Sequence, residues 1–139
     1  MTTLTLAAQA DRAGNSDYQP GVCNIGPAEI ARRRMAGHVG LIATVVVLGA
    51  LIIIGAPPLT RLIAILPTAA SASGYLQAWL KFCAGFGSRG VFNFGPLGEM
   101  KDVTDADALA HDRRRARQIG LWAFGIGVVV GVLAVAVPV

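Results

Sequence analysis

Three stretches of this chain carry no charged side chain, and nothing else in it constrains the fold as much. They are residues 39–60, 62–80 and 118–139. Each comes close to the roughly 20 apolar residues that a helix needs to cross about 30 Å of hydrocarbon. Charged residues make up only 14% of the 139 positions, where an ordinary soluble domain has about a quarter. The runs predict an all-α membrane protein with three transmembrane helices. A hairpin would occupy 23–90, with spans at about 38–56 and 62–81. A loop and juxtamembrane helix would follow at 91–117, and a third span at 118–139.

The first apolar run starts too late, and behind too mixed a leader, to be a cleaved signal peptide. Residues 1–22 read as a disordered cytoplasmic tail. The net charge of +4 does not point to nucleic acid, because the basic residues sit where they set topology. Arg32, Arg33 and Arg34 precede the first run, and Arg113, Arg114, Arg115 and Arg117 precede the third. Lys81, Arg89 and Lys101 also fall between the second and third runs, whereas only Arg61 falls between the first and second. Cytoplasmic segments carry the Lys/Arg excess. This predicts a cytoplasmic N-terminus, a cytoplasmic 82–117 loop and a C-terminus outside, with the arginines at lipid headgroups. Trp79 and Trp122 then both fall at the cytoplasmic interface, where indoles concentrate.

Local chemistry marks the helix ends. Gly26 and Pro27 suit N-cap and N1, with Glu29 near the positive end of the dipole. The "APP" at 56–58 stops the first helix, because proline cannot extend one. Pro67 predicts a kink in the second span. Thr104 and Asp107 resemble a capping box for a helix that runs through the arginines into the third span. The small residues 69–74 make span two the expected centre of packing, with Gly74 at a contact. Gly127 and Gly131 form a GxxxG close-packing face on span three.

"KFCAGFGSRG" (81–90) contains a G-x-G-x-x-G, the pattern that cradles a dinucleotide pyrophosphate. That fingerprint follows a strand and opens a helix; here it follows an apolar run, so Gly85, Gly87 and Gly90 read as a helix exit. Phe82, Phe86, Phe92 and Phe94 would stay in the lipid. Cys83 and Cys23 would lie at one membrane level. Free cysteines are usually small buried residues, but nearby Lys81, Arg89 and Arg32 to Arg34 would favour a thiolate and make the pair possible reactive thiols. His38 and His111 do not match in depth for one haem, and no ligand cluster has metal spacing. No cofactor is expected. Away from their ends the spans carry no charged residue and one strongly polar one, Gln77, which argues against a proton- or ion-coupled mechanism. No catalytic constellation is present.

Asn24-Ile25-Gly26, the arginines before span one, and Phe82-Cys83-x-x-Phe86-x-x-x-Gly90 together resemble a small bacterial inner-membrane hairpin family of unknown function. That family occurs alone or fused to a rhodanese sulfurtransferase domain. The resemblance covers about residues 23–90. Lys81, Ala84 and Phe86 stand where the family pattern has glycine, proline and tyrosine. It implies a hairpin in a bacterial inner membrane and draws attention to Cys83. The expected function is a non-catalytic accessory or structural subunit, or a homo-oligomer, in contact with the lipid bilayer and a membrane-protein partner. The alternative is a cytoplasmic-face thiol protein that handles sulfur or senses redox state through Cys83 and Cys23.

Overall fold

A computed structural model describes residues 18–139; most of the expected N-terminal tail, 1–17, lies outside the described residues. The elements run α1 (Pro27–Ile53), a 3-10 helix (Pro58–Ala64), α2 (Ile65–Leu80), α3 (Ala84–Arg89), β1 (Val91–Phe92), β2 (Lys101–Asp102) and α4 (Ala106–Ala136). The chain divides into two compact units. One is Arg32–Gln77 with Gln118–Val139; the other is 18–31 with Ala78–Arg117.

Helices α1 and α4 are long and apolar enough to cross a membrane. Only 17% of the most apolar window of α1 is buried, and 22% of that of α4. A helix at the core of a soluble protein buries most of its apolar surface. Here Val39, Ile42, Val45, Val46, Leu121, Phe124, Val129 and Leu133 all point outward.

The helix ends follow from local sequence. Gly26 accepts the Ile30 amide at 3.0 Å, which starts α1 at Pro27. Glycine is also required there, because a Cβ would stand 2.6 Å from the Phe94 carbonyl oxygen. At the far end Gly55 turns the chain at φ +68°, and Pro57 and Pro58 prevent the helix from continuing. Pro67 does not fall in the interior of a long α-helix, where its position in span two suggested a kink. It lies in the first turn of α2, just after the change from 3-10 to α geometry. The residues before it form the 3-10 helix, and Ile65 keeps helical angles (φ −54°, ψ −42°), so one passes directly into the other. Asp105, rather than Thr104, opens α4: its carboxylate accepts the Asp107 amide at 3.3 Å.

In the first unit, α2 packs antiparallel to both of its neighbours. Gly74 meets Gly37, then Ser71 meets Gly40, and Thr68 lies 3.3 Å from Thr44 between their hydroxyls. As numbers rise on α1 they fall on α2. Against α4, Ala69 and Ile65 meet Gly127, and Ile65 and Leu62 meet Gly131.

The second unit is built differently. Residues expected to form a lipid-surface loop make a small core. Phe82, Phe86 and Phe92 are buried, not left at a lipid surface. Phe86 packs with Ile25 and Cys83, and Phe92 with Val103 and Ala108. Antiparallel β1 and β2 pair Val91 with Asp102 and Phe92 with Lys101. Residues 18–22, placed by the sequence in a disordered tail, form a turn in which the Val22 and Cys23 amides donate to the Gln19 carbonyl.

Candidate functional site

Two arrangements hold the side chains that the sequence singles out. The first surrounds Cys83. This residue precedes α3 with extended backbone (φ −90°, ψ 117°), so its amide and carbonyl are available to a neighbour. Asn24 takes both. Its side-chain oxygen accepts the Cys83 amide at 2.6 Å, and its Nδ2 donates to the Cys83 carbonyl at 3.1 Å. One buried amide thereby stands in for a strand partner. Asn93 does similar work: its amide donates to the Asn24 carbonyl at 3.0 Å, and its carbonyl accepts the Gly26 amide at 2.8 Å. Its own side chain closes the next turn, accepting from Gly95 at 2.9 Å and donating to Pro96 at 2.8 Å. Buried polar groups are tolerable only when paired in this way.

Asp112 completes that unit. It is fully buried, accepts the Gly21 amide at 2.7 Å and accepts the Tyr18 hydroxyl. The Tyr18 ring stacks on Phe92, with centroids 4.7 Å apart. Burial foremost, then the hydrogen bond to Asp112 and its negative charge, pushes the Tyr18 phenol well above its usual value.

Cys83 is 1% exposed and Cys23 is half-buried; neither forms a disulfide. The Cys23 Sγ lies 3.8 Å from the Ile25 carbonyl oxygen, which makes it at most a weak donor. The glycine motif is neither a phosphate loop nor an irregular exit. It forms the short helix α3, closed by Gly90 at φ +73°. A Cβ on Gly87 would lie 2.8 Å from the Phe82 ring and 2.9 Å from the Asp112 carbonyl oxygen. Gly87 and Gly90 are packing positions, whereas Gly85 is exposed. Among the described residues no three His, Cys, Asp or Glu side chains gather where they could hold a metal.

The second arrangement is the pair of glycine seams. A Cβ on Gly74 would lie 2.5 Å from the Gly37 nitrogen and 2.8 Å from the Arg33 carbonyl oxygen. On Gly127 it would meet the Ile65 carbonyl oxygen at 2.8 Å, and on Gly131 the Ile65 side chain at 2.5 Å. The seams therefore join helices of one chain, and they give no ground for an external partner. Gly37 and Gly40 are the half of the first seam that the sequence reading passed over. Their spacing in "MAGHVG" is the signal that could have found them.

Arg61 was read only as the lone cation of the turn. Its side chain is in fact 2% exposed. Its Nη1 donates to the Ala134 carbonyl and to the Val137 carbonyl, both at 2.9 Å. Its Nη2 donates to the Val139 carbonyl at 2.8 Å. The last carbonyls of a helix lack intrahelical donors and form the negative end of its dipole. The guanidinium binds Ala134 in the last turn of α4 and Val137 and Val139 just past its end, and gains up to about 2 kcal/mol from the dipole in a partly buried setting.

Of the arginines that the sequence places at headgroups, Arg32, Arg34, Arg113, Arg114 and Arg117 are exposed, whereas Arg33 and Arg115 are half-buried. Trp79 and Trp122 are exposed.

No protein-family model matches this chain, and no curated protein or solved structure matches it.

Proposed function

We propose that this is a three-span, non-catalytic protein of a bacterial inner membrane, with its N-terminus inside and its C-terminus outside. It would serve as an accessory or structural subunit of a membrane complex or as a homo-oligomer. The observation that carries the membrane reading is the inversion of the first unit: small residues face one another inside, and long aliphatic side chains face out. Hydrocarbon supplies no hydrophobic force between helices, so close backbone contact is what holds them together in lipid.

The third span is supported by geometry. Alone, α2 has 16 residues and is short for a crossing. The 3-10 helix adds seven residues, for a rod of about 38 Å at 2.0 and 1.5 Å per residue. It is antiparallel to α1 at one end and to α4 at the other, so the three helices alternate as three spans must. The buried guanidinium of Arg61 also removes the one basic residue at odds with the charge distribution, because its charge is matched by main-chain carbonyls at and past the end of α4. The bacterial inner membrane rests on the family resemblance and the Lys/Arg pattern.

Reporter fusions after residues 98 and 139 test this directly. The expected result is opposite compartments, cytoplasmic at 98 and external at 139; a cytoplasmic signal at both would refute three spans. Native mass spectrometry after gentle extraction then separates a stoichiometric partner from a homo-oligomer. The thiol alternative has less to stand on, because a reactive cysteine needs exposure and Cys83 is sealed.

A further inference from the structure

On the surface of the first unit, His38 and Tyr75 form a pair that neither packing nor topology accounts for. The His38 Nδ1 and the Tyr75 hydroxyl are 2.6 Å apart and solvent-exposed, with the rings edge to face at 5.3 Å and 72°. The tyrosine cannot swing freely, because its ring lies against Gly37, where a Cβ would stand 2.8 Å from it. We propose that Arg34, His38 and Tyr75 bind the phosphate of an anionic phospholipid headgroup. The inference rests on the membrane reading above and adds a ligand to it.

The position on α1 is the first reason. Arg34 is the last charged residue of α1, and the exposed side chains from Val39 through Leu41 and Ile42 are apolar. His38 sits at that change, the depth at which headgroup phosphates meet a crossing helix. The donor set is the second. In the tautomer in which the tyrosine hydroxyl donates to Nδ1, a neutral imidazole carries its proton on Nε2 and offers it to the ligand. Arg34 lies four residues earlier on the same helix face, about 6 Å along the axis, and its guanidinium pairs well with phosphate oxygens. Competition is the third: α2 has no carboxylate, and the only one on α1, Glu29, is buried. An amphiphile fits better than free phosphate, because Val39 and Ile42 continue the surface in the direction an acyl chain would run. Basic pockets between helices on the cytoplasmic side are a recurrent way of holding such headgroups.

The test uses the full chain in mixed micelles. Phosphatidylglycerol is titrated against a phosphatidylcholine background, and bound lipid is counted by native mass spectrometry. Carbonate extraction of the membranes comes first. Release of the wild-type protein there would overturn the membrane reading itself, and this site with it. If the protein stays in the membrane, Arg34→Gln should weaken phosphatidylglycerol retention about tenfold, the loss of one charge-assisted hydrogen bond. Tyr75→Phe keeps the ring against Gly37 and removes only the hydroxyl that orients His38; it should weaken retention about fivefold. Lys101→Gln, the same charge change at an exposed base of β2, should leave retention as it was. Equal loss in Lys101→Gln, or wild-type retention in both Arg34→Gln and Tyr75→Phe, would mean diffuse attraction to a basic surface and would overturn the site. Displacement of the lipid by inorganic phosphate would overturn the assignment to a headgroup.

Discussion

The two units of this chain answer the same physical demand in opposite ways. In the one built on Asn24, Cys83 and Asp112, aromatic and aliphatic side chains turn inward, and buried polar groups are paired by side chains. In the one built on α1, α2 and α4, glycines, serine and threonine turn inward, and the bulky aliphatic residues turn out. Water expels apolar surface and so drives the first kind of core. Lipid does not, and the second kind depends on how closely backbones approach. The contrast teaches that burial alone is a poor guide to which residues hold this protein together. In one unit the large buried side chains do so, and in the other it is the absence of side chains.

Bulk added to a seam should therefore have the largest effect. Gly74→Leu puts a side chain into the Gly37 backbone, 2.5 Å away, and neither helix can yield without parting. A loss of about 3 kcal/mol or more is expected, at the upper end of overpacking, seen as a collapse of thermal stability in detergent. Gly49→Leu faces open space and should shift stability by no more than about 0.5 kcal/mol. Equal effects from the two would erase the contrast between seam and outer face.

The other unit should break through hydrogen bonding. Asn24→Ala leaves the buried Cys83 amide and carbonyl unpaired, at about 2 kcal/mol, and pulse proteolysis should find new cleavage within 78–117. An unchanged digestion pattern would mean that the Asn24 pairing contributes little.

The smallest effect is expected at Cys83. Cys83→Ala removes one buried sulfur, at about 1 kcal/mol, and alkylation of Cys83 in intact membranes should be slower than that of half-buried Cys23. A Cys83 that reacts rapidly near neutral pH, and slows in Lys81→Gln, would turn the packing residue into a site and revive the thiol reading.

The helical runs and most of their ends were legible in the chain because their causes are local. Freedom from charge over about 20 residues, Gly26 before Pro27, and two prolines after Ala56 all act on their own neighbourhood. The small stretch 69–74 and the GxxxG at 127–131 were visible for the same reason. Their partners were not: that Gly74 meets Gly37 and Gly127 meets Ile65 depends on how α2 lies against two other helices. The phenylalanines of 82–94 misled because a glycine- and aromatic-rich segment beside an apolar run has the composition of a membrane-surface loop. Only the polar pairings reveal a core there.

The sequence by itself determined that the chain is mostly helical and that α1 and α4 are apolar enough to cross a bilayer, since hydropathy and proline chemistry are read residue by residue. The tertiary structure alone decided what Asn24, Arg61 and Asp112 do. Asn24 reaches Cys83 across 59 positions, Arg61 reaches Val139 across 78, and Asp112 reaches Tyr18 across 94. A polar side chain in a sequence announces only that it needs a partner. Which partner it finds is set by the folded backbone, where burial away from water makes that pairing obligatory.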